Sequence, residues 1–179
     1  MTPPALPDAI RTFLPEAPVT LVTPTRPDTD AIAAGLSVAD LFPDGAGDVD
    51  AARACLAGVL LLRDAADRAH GECQDLDTAE GAYWHGILHR REPDAGNAKY
   101  WMRRVGRHPI HETLSGGALP PAHAELFTTG GRWDAARFVD ACCAPRIAPG
   151  MRTVLEAVQW REALLLLAHG AGLARGDRR

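Results

Sequence analysis

The sequence predicts an all-α protein: a single-domain bundle of about five main helices, with a central helix-turn-helix hairpin and an extended N-terminal arm. Three observations predict it. Apolar residues recur at three- and four-residue spacing through much of the chain after residue 48. Aspartate, proline and glycine stand where such helices would start and stop. No segment shows the strict apolar-polar alternation of a half-buried strand.

Bulk composition agrees. A chain of 179 residues, 46% hydrophobic and 23% charged, is long enough to bury one core without metal or disulfide staples. No apolar run approaches the roughly 18 residues needed to cross a bilayer. The start "MTPPALPDAI" carries neither a basic nor an apolar leader region, so a cytoplasmic setting is expected. Cys55, Cys73, Cys142 and Cys143 lack C-x-x-C spacing and read as reduced thiols of the core. A net charge of −4 argues against a general nucleic-acid binder.

Taken in order, residues 1–47 are rich in proline and aspartate and form an arm packed on the core. Within it "PVTLVT" is extended chain, because a lone strand would lack a pairing partner, and Ser37 with Asp40 starts a short helix. Residues 48–172 form the helical domain. Its first helix runs from Asp50 to about His70, carries Cys55, Val59, Leu62, Ala66 and Ala69 on one face, and stops at Gly71. A D-x-x-E capping box, Asp77 and Glu80, opens the second helix, which Pro93 ends at Glu92. Asp94 caps a third helix through "AGNAKYWMRRV" that stops at Gly106. Residues 107–132 carry repeated glycine and proline and read as a long loop with one helical turn near "PAHAELF". "WDAARFVDACCA" makes a fourth helix, and "MRTVLEAVQWREALLLLAH" a fifth closed by Gly170. Residues 173–179 are expected to be a disordered tail.

The chemistry concentrates on the hairpin. Between Gly81 and His111 lie six basic residues, two acidic residues and four of the seven histidines. On a helical wheel Trp84, Ile87 and Leu88 share one face, with Ala82, His85, His89 and Glu92 on an adjoining stripe and Tyr83 and Arg90 outward. His85 and His89, one turn apart, should face the same interior space and act as general base or hydrogen-bond donor. On the third helix Asn97, Tyr100 and Arg104 share one stripe, while Lys99, Arg103 and Arg107 read as a solvated face. No cofactor is expected. Were a metal ion held, His85 and His89 would bind it, with Glu92 or His108 completing the sphere.

The segment Ala82 to Pro109 resembles a single tetratricopeptide repeat, in that Ala82, Gly86, Ala98 and Val105 stand where that family places small or apolar residues. His85 and His89 depart from it. The run "YWHGILHRREPDAGNAKYWMRRVGRHP" is also similar to the signature of a family of small bacterial helical proteins. That likeness extends over most of the chain and implies one whole-chain domain without implying an activity.

Two functional expectations follow. One is binding, with or without turnover, of a small anionic molecule by His85, His89, Arg90, Arg91, Asn97, Tyr100 and Arg104, with Arg104 the first choice to line a hydrated cavity. The other is a protein-interaction module that docks a protein partner through the hairpin. Neither involves nucleic acid or a membrane.

Overall fold

A computed structural model describes residues 4–23 and 30–177. Among the described residues eleven α-helices enclose one hydrophobic core, and the only strands form a hairpin of two two-residue strands. The arm holds α1 (Asp8–Thr12), α2 (Ala31–Gly35) and α3 (Val38–Leu41). Ser37 and Asp40 make the capping box that starts α3. The "PVTLVT" segment forms neither helix nor strand and packs on the helices as expected, although its backbone bends at Leu21 and Val22: Val19 and Leu21 are buried, and Thr23 N–H donates to the Arg91 carbonyl at 2.9 Å.

The long helix expected over residues 50–70 is two helices, α4 (Val49–Leu62) and α5 (Ala66–Cys73). Asp64 breaks them apart with a left-handed backbone, φ +60°. The break is held from a distance, because Arg91 donates to the Leu61 carbonyl in the last turn of α4 and to the Asp64 carboxylate, each at 2.5 Å. These contacts add a side-chain donor to a carbonyl that also accepts from Asp64 N–H at 3.2 Å, and reward the turn. Gly71 lies inside α5 and stops nothing.

Helix α6 (Ala79–Arg91) begins at Thr78, whose hydroxyl accepts from Gly81 N–H at 3.1 Å, so the cap lies one residue beyond the expected Asp77. Helix α7 (Ala95–Val105) is capped by Asp94 and ends at Gly106, φ +63°. In the loop expected over 107–132 the helical turn near "PAHAELF" is present as α9 (Pro121–Leu126), but the rest is also structured, as α8 (Pro109–Thr113), a wide turn at Leu114–Ala118 and the hairpin of β1 (Thr128–Thr129) with β2 (Arg132–Trp133). Gly130 and Gly131 supply the positive φ that so tight a turn requires. Asp134 caps α10 (Ala135–Cys142). Helix α11 (Pro149–Arg175) runs past Gly170 to a left-handed Gly176, so residues 173–175 of the expected tail are helical, while 178 and 179 lie outside the described residues.

Helix α6 is the centre. It packs on α4, α5, α7 and α10, while α11 packs on α4, α8 and α10. Glycine lets the backbones approach. A Cβ on Gly58 would stand 2.4 Å from the Trp84 ring, so α4 and α6 meet through a residue without a side chain. No described helix is long and apolar enough to cross a membrane.

Candidate functional site

Because α6 is covered on several sides, its chemistry-bearing residues divide among its neighbours. His85 and His89 point toward α5, where they meet His70. The ring centroids of His85 and His89 are 4.8 Å apart and nearly parallel, and His70 meets His85 edge-on at 4.7 Å. One nitrogen from each ring lies within 4.8 Å of the others. Trp101 of α7 stacks on His85 at 4.0 Å and fixes its ring plane. His85 is buried; His70 and His89 are half-buried.

Protonation here follows from the partners. Glu92 Oε2 lies 2.9 Å from His89 Nδ1, and a carboxylate only accepts, so Nδ1 carries a proton and the neutral form of the ring has its lone pair on Nε2. That arrangement is the outer support found behind metal-ligating histidines. His85 Nδ1 is buried with no hydrogen-bond partner. Burial, then the neighbouring His89 and His70, pushes the His85 pKa down to about 4, so its ring is neutral at neutral pH.

A second cluster joins α6, the start of α8 and α11. Glu80 Oε1 lies 3.4 Å from His108 Nε2 and from His169 Nε2. Here Ile110 N–H donates to His108 Nδ1 at 3.4 Å, which leaves the proton on Nε2, directed at Glu80. The cluster is therefore a closed hydrogen-bonded network, with no lone pair of His108 free for an ion. These contacts hold the Glu80 carboxyl well below its ordinary range.

The other expected site residues go elsewhere. Arg90 is buried against α11, with Nη2 2.6 Å from Glu162 Oε2 and its guanidinium 4.5 Å over the Phe138 ring. Arg91 is buried as the cap of α4. Tyr83, expected outward with Arg90, is fully buried and donates to Glu162 Oε1 at 2.9 Å. Both corrections have a common cause: α11, with α8 beside Tyr83 and α10 beside Arg90, covers the side that the wheel left to solvent. Asn97 and Tyr100 are exposed. Arg104 is exposed: it lies over Trp101 and pairs with Asp77 at 3.0 Å. Glu92 supports His89 from behind, and His108 belongs to the other cluster. His70 escaped the sequence reading because one unbroken helix through residue 70 hid the turn that brings α5 back onto α6. No family model, curated protein or solved structure matches the chain.

Proposed function

We propose that the chain is a metalloprotein in which His70, His85 and His89 hold one divalent transition-metal ion of the zinc type. The observation that carries this reading is the convergence of three imidazoles whose third member, His89, is oriented from behind by Glu92. Three protein nitrogens leave one position open, the ligand pattern of catalytic rather than structural zinc. An ion so held is a Lewis acid for water or an anion. The small anionic ligand expected from the sequence then meets the metal, not Arg90, Arg91 or Arg104, whose charges are engaged elsewhere. Four unbridged cysteines fit a reducing compartment, and we infer a cytoplasmic setting.

The interaction-module alternative has less to support it. A docking hairpin needs an open face, and α6 is covered by α4, α5, α7 and α10. The large exposed hydrophobic residues, Val22, Ile32, Val49, Tyr100 and Leu126, come from separate segments.

The test is titration of chelator-stripped protein with Zn²⁺ by calorimetry, and with Co²⁺ by visible absorption. A single equivalent should bind, with the intense visible bands of a four-coordinate Co²⁺ centre. His70→Ala and His89→Ala should abolish it, Glu92→Gln should weaken it about 10–100-fold, and His169→Ala should leave it intact. Unchanged affinity in His70→Ala, or no bound equivalent in the parent, would overturn the proposal.

A further inference from the structure

A second site lies on the other side of α7. Lys99, Arg103 and Arg107, spaced at i, i+4 and i+8, read from the sequence as a solvated face, yet α8 and the β-hairpin rise opposite them and turn that face into the wall of a cleft of about 630 Å³. Arg132 of β2 closes the far side, and Trp133, Met102 and Pro109 supply apolar lining. This volume suits a small organic molecule.

The charges in the cleft are unbalanced. Four cationic side chains line it against two carboxylates, Glu112 and Asp134. Glu112 is 3.6 Å from Arg107. Asp134 is occupied as the cap of α10, accepting from Arg137 N–H at 2.9 Å and from the Thr129 hydroxyl at 2.8 Å. Lys99 is 2.6 Å from Asp140. Among the described residues Arg103 and Arg132 have no acidic or hydrogen-bonding partner, and they belong to different elements facing one space. The hairpin is anchored rather than hanging free. Trp133 N–H donates to Ser115 Oγ at 2.8 Å, and that hydroxyl donates to the His111 carbonyl at 2.7 Å. The cleft walls are thereby tied to the turn after α8.

The geometry points to a binding site for a small organic anion, a phosphate or carboxylate on a planar apolar body, with Arg103 and Arg132 clamping the charged group and Trp133 and Met102 meeting the body. Two guanidiniums from opposite walls offer paired N–H donors that match such an oxyanion. This site is independent of the three histidines.

The test uses 1-naphthyl phosphate and 1-naphthoate as probes, followed by calorimetry on the full chain stripped of metal. Both should bind at one site, and the stronger of the two distinguishes a phosphate from a carboxylate clamp. Arg103→Gln and Arg132→Gln, both at exposed positions, should each weaken binding at least about tenfold, the loss of one charge-assisted hydrogen bond. Their melting temperatures report that the fold survives. His70→Ala should leave probe binding unchanged, which separates this site from the metal reading. Equal binding by both arginine variants and the parent would overturn the proposal, as would loss of the probe in His70→Ala. So would stabilisation by inorganic sulfate equal to that by the probes at matched ionic strength, because screening alone then accounts for it.

Discussion

Arg90 and Glu162 form an ion pair with both side chains wholly excluded from solvent, Nη2 to Oε2 at 2.6 Å, joining α6 to α11 across 72 positions of sequence. Tyr83 fills the second carboxylate oxygen, and the Phe138 ring lies against a guanidinium whose Nε and Nη1 find no acceptor. A pair so dry tolerates the loss of one partner badly. Glu162→Leu alone should cost about 3–5 kcal/mol in denaturant unfolding, since it strands a buried charge. Combined with Arg90→Met it should cost clearly less than the sum of the two single changes. Strict additivity would show that the two groups do not act as a pair.

The crossing of α4 over α6 gives a second expectation. Gly58→Ala drives a methyl into the rigid Trp84 ring and should lose about 1–3 kcal/mol of stability. Gly86→Ala meets only the flexible end of Met102, at 2.9 Å, and should lose less. A reversed order in thermal unfolding would mean that α4 and α6 are further apart than the structure has them.

Acid should weaken the fold in two windows. Burial, then the neighbouring His108, lowers the His111 pKa to about 4 from an ordinary 6.5. The unfolded chain therefore takes up a proton that the folded one refuses, and stability present above about pH 6.5 declines as the pH falls toward 4. Glu80 acts lower: its depressed pKa, caused first by His108 and then His169, adds stability above its ordinary 4.5 that is lost as the pH falls through the folded-state value. His111→Gln should make the first window shallower, with His85, whose pKa is lowered to the same value of about 4, keeping the remainder, and Glu80→Gln should flatten the second, read as unfolding free energy against pH. A His111→Gln profile parallel to the parent's between pH 6.5 and 4 would remove His111 from the account.

Thiol chemistry should be slow. Burial pushes Cys55, Cys73 and Cys142 up to about 12, and raises the half-buried Cys143 as well. A disulfide reagent at pH 8 should react with Cys143 first and with the other three only in denaturant. Fast labelling of the native chain at Cys142 would contradict the burial.

Arg104→Gln provides the contrasting surface case. The Arg104–Asp77 pair is exposed on both sides, so the substitution should leave the melting temperature essentially unchanged. A large drop would show that its contact with the Trp101 ring is a packing contact of the core.

The all-α class, helices α6, α7, α10 and α11, and the starts of α3, α7 and α10 were determined locally. Asp94 and Asp134 each accept from an amide three residues on, and Asp40 accepts from the Ser37 amide three residues back, so the sequence window that contains the cap also contains its partner. The one-turn spacing of His85 and His89 likewise set their common direction. Tertiary structure decided the rest. The break at Asp64 depends on Arg91, 27 positions away, and the burial of Tyr83 and Arg90 depends on α11, more than 70 positions away. His70 joins the other histidines only because that break folds α5 back against α6. The cleft beside α7 exists only because α8 and the hairpin stand across from Lys99, Arg103 and Arg107. Periodicity says which residues share a face of one helix. Which neighbour covers that face is set by helix crossings and long-range charge pairing, and these decide whether an arginine is a cap, a core ion or a ligand clamp.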